Sequence, residues 1–264
     1  MFLALRRLGR RELSEYQHNR VQSRGAHAAP QGQGPVRPVS VSQGRRKPKR
    51  SGGVWRVVFI ISLIVFVCAA GALAFIGYGY WHGQQNNKQL EQIGFNAPDA
   101  AALQRMDLAS FTVDWDALRA INPDVVGWIY VPGTTVNFPI VHGTDDEHYL
   151  KTDFYGQTSW VSFGSIFLSA ANAGDFSDAN NIVYGHHMND GSMFSPFADF
   201  GDADTFNGHR TVYVFTPAAN YQLTTFSIVH CAADDPLAQT AFASEQERQA
   251  YMQDKVDRSV VTVA

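Results

Sequence analysis

The sequence predicts a mainly β domain, a closed barrel with a few added helices, tethered to one transmembrane helix. Short runs of β-branched and aromatic residues alternate with turn residues from Val125 to Val263, a pattern that favours a barrel over a helical bundle. From Val57 to Trp81 no residue is charged, and among the first twenty of these only Ser62 is polar. Basic residues crowd the N-terminal side of that run: Arg45, Arg46, Lys47, Lys49, Arg50 and Arg56.

Residues 1–56 hold 13 Lys and Arg against Glu12 and Glu15, while the rest of the 264-residue chain holds 8 against 22, so the net charge of -3 hides a basic tail and an acidic domain. A basic tail alone would admit nucleic acid as a partner, but the apolar run that follows it favours a membrane, and no nucleic-acid partner is expected. Residues 1–53 are rich in Arg, Gln, Gly, Ser and Pro, and read as a disordered cytoplasmic tail whose clusters touch anionic headgroups. The run Val57–Trp81, as a helix, would extend roughly 37 Å, enough to cross a bilayer with some tilt. The positive-inside rule then keeps the N-terminus cytoplasmic and places the C-terminal domain outside the cell. A cleaved signal peptide is the alternative, because Ala70-Gly71-Ala72 has the character of a cleavage site, but the run and its preceding tail are long for one. The organisation expected is a tail over 1–53, a transmembrane helix over 54–81, a stalk with weak N-terminal helices over 82–110, and a folded domain over 111–264.

Within that order, Trp81 and the polar run His82–Asn87 mark the membrane interface and the stalk, and Leu90 to Leu108 reads as one or two weak helices. Asp114 is a plausible N-cap for a helix that presents Trp115, Leu118 and Ile121 on one face and stops before Pro123. The period then changes: Val126–Val131, a Pro132-Gly133-Thr134-Thr135 turn, and Val136–Val141 form a hairpin. Further strands are expected at Ser165–Leu168, Asn181–Tyr184, Thr211–Thr216, Tyr221–Cys231 and Ser259–Val263. Helices are expected over Ser192–Phe200 and Ser244–Val256, the second opening with Ser244 and Glu247 as a capping box.

Chemistry is expected where Ile182-Val183-Tyr184 runs into Gly185 and His186. The glycine leaves room beside the imidazole, and an imidazole with an unperturbed pKa of roughly 6.5 suits proton transfer near neutral pH. The stretch Asn181-Ile182-Val183-Tyr184-Gly185-His186-His187-Met188, with Asp190-Gly191-Ser192-Met193-Phe194 after it, resembles the catalytic-histidine segment of class B sortases, membrane-anchored cysteine transpeptidases. The resemblance extends over roughly residues 90–264, through Ile121-Asn122-Pro123-Asp124-Val125-Val126-Gly127-Trp128-Ile129, Pro132-Gly133-Thr134, Tyr149-Leu150-Lys151-Thr152-Asp153-Phe154 and Gly164-Ser165-Ile166-Phe167-Leu168. It implies a sortase-like eight-stranded β-barrel with added helices. It also implies an enzyme that cleaves a Thr-containing sorting signal and joins the acyl group to a peptidoglycan or pilin amine, with sorting-signal peptides and membrane lipid as partners and no cofactor.

Carried over by position, the resemblance makes His186 rather than His187 catalytic, and makes Leu150 and Asp146 contacts in the substrate groove. Asp146 stands where the family usually has asparagine. The family's nucleophile strand and the arginine strand after it have no counterpart before Ala264. The domain is therefore expected to be C-terminally incomplete and inactive as it stands, and its final run Ser259–Val263 to lack a neighbouring strand and leave the barrel open. Two plainer readings of His186 stand beside the catalytic one: a surface turn histidine, and a buried histidine bonded to a backbone carbonyl. Cys231 reads as an inert thiol, since His230 faces the opposite side of its strand and Asp234-Asp235 would raise its pKa. Cys68 lies in the span and cannot pair with it. No metal is expected, because the spacing of His142, His148, His186, His187 and His209 fits no zinc signature. A membrane-anchored, non-catalytic peptide-binding module is the second reading of the whole.

Overall fold

The computed structural model describes residues 2–5, 52–95, 108, 111–158, 163–232, 235 and 239–263. The elements run β1 (Phe2–Leu5), α1 (Gly52–Gly94), α2 (Trp115–Ile121), β2 (Val125–Tyr130), β3 (Asn137–His142), α3 (His148–Lys151), β4 (Ile166–Leu168), β5 (Ile182–Gly185), α4 (Pro196–Asp199), α5 (Ala203–Gly208), β6 (Thr211–Phe215), β7 (Asn220–Thr224) and α6 (Glu245–Asp257).

α1 is long and apolar enough to cross a membrane. It does not stop at Trp81: the run expected to be a stalk, His82–Asn87, is helical, and the helix continues to Gly94. Of the weak helices expected over Leu90–Leu108, the first part belongs to α1, and 96–107 lie outside the described residues. The tail expected to be disordered contributes one strand, β1, and 6–51 also lie outside the described residues. The chain divides into two compact units, one of residues 1–8 with 71–264 and the other of 9–70, of which the described part is helical.

The expected helix at Asp114 is α2, and the cap is the one anticipated: the Asp114 carboxylate accepts a hydrogen bond from the Ala117 amide at 3.0 Å. The expected hairpin is β2 and β3, antiparallel, with a bulge at Val125/Gly127. Parallel pairing of β3 with β4 and antiparallel pairing of β4 with β5 carry the sheet to one side, and antiparallel β6 and β7 carry it to the other. The result is a curled, mixed seven-stranded sheet, in the order β1-β5-β4-β3-β2-β6-β7, that forms a half-barrel.

Both faces of this sheet are buried. Ile129, Ile140, Val212 and Val214 point into a core filled by Phe194, Phe197, Phe200 and Phe206 from the α4–α5 segment. Their strand neighbours Trp128, Tyr130, Val141, Tyr213 and Phe215 point the other way, into a core closed by Leu90 and Phe95 from the end of α1 and by Leu118 of α2. Alternate residues enter different cores, so each strand reads as a continuous apolar run rather than as an apolar–polar alternation.

Three expected elements differ. The strand foreseen over Tyr221–Cys231 ends at Thr224, because its partner β6 begins at Thr211; the last bond between the two segments runs from the Thr225 amide to the Arg210 carbonyl, 2.8 Å. Ser259–Val263 is not a strand. Val260 donates one backbone bond to Ile228, Val261 is buried, and Val260 and Val263 are exposed, so the run is tacked down at single points. The helix foreseen over Ser192–Phe200 is confined to Pro196–Asp199, since the preceding residues close a turn described below. The Ser244 half of the capping box forms, its hydroxyl accepting from the Glu247 amide at 3.1 Å, while the Glu247 carboxylate accepts from the Ala243 amide at 2.6 Å rather than from that of Ser244.

Candidate active site

His186 leaves the end of β5 and is 9% exposed. Its Nε2–H donates to the Leu150 carbonyl at 2.5 Å, a partner that can only accept, so the tautomer is fixed and Nδ1 is the nitrogen left for chemistry. Of the readings drawn from sequence, the buried imidazole on a backbone carbonyl describes the geometry. It is compatible with catalysis, because a positioned imidazole needs only one nitrogen free. His187 is exposed and its backbone bridges to Met193.

The loop after the histidine is closed on itself. The Phe194 amide donates to the His186 carbonyl at 2.9 Å. The Ser195 hydroxyl accepts from the Met188 amide at 2.6 Å and donates to the Met188 carbonyl at 2.7 Å. Gly185 is forced by packing: a Cβ there would stand 2.4 Å from Phe194 and 2.6 Å from Ile166.

The Leu150 carbonyl is itself positioned. The Asp145 carboxylate accepts from the amides of Glu147 and His148, at 2.8 and 2.7 Å, and so fixes the turn that leads into the short helix α3. Those two amides hold the Asp145 carboxyl below the usual carboxylate range. Tyr149 anchors the next turn: its hydroxyl donates to Asp124 at 2.7 Å, and burial, with that carboxylate second, pushes its pKa up to about 12. The Ser165 amide donates to the Tyr149 carbonyl, and the Ser165 hydroxyl to the Thr152 carbonyl, both at 2.9 Å. Gly164 makes this seam possible. Its φ is +50°, and a Cβ would lie 2.7 Å from the Tyr149 oxygen, 2.8 Å from the Leu150 oxygen and 3.0 Å from the His186 ring.

Leu150 and His186 are therefore brought together, through a main-chain oxygen rather than the Leu150 side chain. Asp146 stands one turn away. Its carboxylate accepts from the Ser169 hydroxyl at 3.0 Å and the Ala170 amide at 2.7 Å, tying the α3 loop to the end of β4. Behind Gly164 lies a cleft of about 300 Å³, between the α1 residues Tyr78, His82 and Asn86 and the loop residues Asp153, Tyr155 and Phe163.

Cys231 is exposed. What burial its thiol has, followed by the charge of Asp235, pushes its pKa up, against the opposing pull of Arg258 and Lys255. A thiol tuned in that direction is a poor nucleophile at neutral pH. Among the described residues no three His, Cys, Asp or Glu side chains converge on a metal position.

Sequence reasoning missed the roles of Gly164 and Ser195 and the two amide bonds that Asp145 accepts. The last was open to inspection: an aspartate followed two residues later by Glu147-His148-Tyr149-Leu150 is a helix-start pattern.

No family model matches the chain. It is 29% identical over 198 residues to sortase B of Listeria monocytogenes, covering 73% of this chain and 78% of that one. It is 31% identical over 147 residues to sortase B of Staphylococcus aureus, covering 56% and 59%. Among solved structures, a Staphylococcus aureus sortase B–substrate complex superposes with a TM-score of 0.59 at 27% identity, covering 68% of this chain and 79% of that one. A Bacillus anthracis protein similar to sortase B gives a TM-score of 0.60 at 28% identity, covering 70% and 84%. The half-barrel and its added helices thus resemble solved class B sortases over most of their length, and the chain is a class B sortase-like protein.

Proposed function

We propose that this transpeptidase cleaves a Thr-containing sorting signal of secreted surface proteins and passes the acyl group to a cell-wall or pilin amine, with His186 as the proton-transfer group. The observation that carries this reading is the imidazole fixed through Nε2 to the Leu150 carbonyl, with Nδ1 free at the rim of the sheet. In the reaction, a thiolate attacks the carbonyl carbon of the scissile peptide bond. The C–N bond breaks, the leaving amine takes a proton from Nδ1 of the imidazolium, and a thioester remains. The acceptor amine then displaces the thiolate and returns a proton to the same nitrogen. Leu150 and Asp146 border the groove for the signal peptide, Asp146 through the loop it holds. The Staphylococcus aureus relative solved as a substrate complex supports a sorting-signal peptide as the substrate class.

Cys231 is not the attacking thiol in this scheme. The natural protein, given a Thr-containing sorting-signal peptide and triglycine as the amine, is expected to yield the ligated product, and Cys231→Ala is expected to leave its rate unchanged. Absence of both cleavage and ligation would overturn the transpeptidase reading. Loss of product in Cys231→Ala would move the nucleophile to that residue.

The chain is anchored by α1 with its N-terminus in the cytoplasm and its catalytic domain outside. The 13 basic residues before Val57 support that orientation. Protease added to intact cells is expected to remove the C-terminal domain and spare residues 1–50; the reverse digestion pattern would invert the topology. With α1 across a bilayer, Phe2–Leu5 and β5 lie on opposite sides of it. The parallel pairing of β1 with β5 and the inserted state therefore exclude one another. In the inserted chain the outer edge of β5, one residue from His186, is open to another extended strand.

A further inference from the structure

The polar run after the apolar stretch has the composition of a loose tether, yet it is helical and docked. Its contacts fall at helical spacing along one face. Tyr80 meets the Phe163 ring edge-on at 6.4 Å between centroids, and a Cβ at Gly83 would stand 2.8 Å from the same ring. Gln84 donates to the Asp190 carboxylate at 2.9 Å, Asn86 to the Asp153 carboxylate at 3.2 Å, and Asn87 to the Met193 sulfur at 3.8 Å. Leu90 is 1% exposed, and the Gly94 carbonyl accepts from the Asp114 amide at 3.0 Å. Asp190 and Met193 belong to the loop that closes behind His186.

We propose that residues 80–94 form a rigid strut that seats the His186 loop in the lipid headgroup layer, so that the face carrying residues 153–158 and 189–191 is a bilayer-contacting surface. Two independent features support this. Tyr78, Tyr80 and Trp81 end the apolar run as an aromatic belt does, and a helical rise of 1.5 Å per residue puts Asn87 roughly 9 Å beyond Trp81, within the thickness of a headgroup region. The cleft beside Gly164 is lined both by Phe75 and Tyr78, from the apolar run, and by Gln157 and Thr158, so the domain loops reach back to the level of the belt. A substrate and an amine acceptor that both arrive at the membrane surface would meet the histidine there. Transpeptidation would then need no swing of a flexible stalk.

The inference rests on the membrane-anchor reading but not on catalysis, and it can be tested without an activity assay. The full chain carrying Cys68→Ser and Cys231→Ser, with a fluorophore on Asn189→Cys, is reconstituted in phosphatidylcholine vesicles containing lipid with a headgroup spin label. The Asn189 probe is expected to lose most of its emission, while a probe on Arg119→Cys, on the exposed side of α2, stays bright. A flexible Gly-Ser insertion between His82 and Gly83 is expected to restore the Asn189 emission. A bright Asn189 probe in the unaltered chain, or quenching that the insertion does not relieve, would overturn the strut. A probe on Ile64→Cys, read with an acyl-chain quencher, reports the anchor separately: if it stays bright, the membrane reading itself fails and the strut with it.

Discussion

Replacing His186 by alanine in the natural protein is expected to slow transpeptidation of a Thr-containing sorting-signal peptide by about 10²–10⁴-fold, the range typical of a lost general acid–base group. His187→Ala is expected to leave the rate within a few-fold. The two imidazoles are adjacent in sequence, but their surroundings differ. His186 is buried, locked by its Nε2–H bond to Leu150 and backed by Gly164; His187 is exposed and contributes a backbone bridge to Met193. A general acid must be held in place to act on one proton, and only the first residue is held. The comparison is made on single-turnover thioester formation and on steady-state ligation. Equal, near-normal rates for both variants would remove His186 from the mechanism. A loss confined to His187→Ala would exchange their roles.

Trp128→Ala is expected to cost about 3–5 kcal/mol, the range for truncating a buried aromatic, out of a total stability of about 5–15 kcal/mol. Trp128 is fully buried in the middle of the sheet, between its two edges. Its indole N–H donates to Asn137 Oδ1 at 2.7 Å, its ring stands 6.0 Å from that of Phe95, and it packs so closely on Gly94 that a Cβ there would lie 2.8 Å from it. The indole therefore joins β2, β3 and the end of α1, and its removal leaves a cavity at their junction as well as an unpaired Asn137. Urea unfolding followed by near-ultraviolet circular dichroism should show the midpoint falling sharply, with the slope unchanged. Asn137→Ala, which removes only the hydrogen bond, should cost about 1 kcal/mol. Equal and small losses for the two variants would show that the ring does not hold the helix to the sheet.

Local chemistry determined much of this protein from sequence alone. The apolar run Val57–Trp81, the Asp114 and Ser244 caps, the hairpin around Pro132-Gly133 and the strand that ends at Gly185-His186 are written in neighbouring residues, because caps, turns and strand periods are short-range effects. The likeness to class B sortases was legible for the same reason, since its motifs are contiguous. What needed the tertiary structure was every interaction whose partners are far apart in the chain. The Leu150 carbonyl that fixes the His186 tautomer lies 36 residues away, and the strut amides Gln84 and Asn87 meet residues 106 positions on. The polar composition of His82–Asn87 reads as a stalk without showing that it docks, because side-chain amides look solvated until their acceptors are known. The run Ser259–Val263 suggested a strand, because β-branched residues favour extended backbone without saying which strand is beside them. In both places the sequence determined the conformations a segment can adopt, and the surface packed against it decided which one was kept.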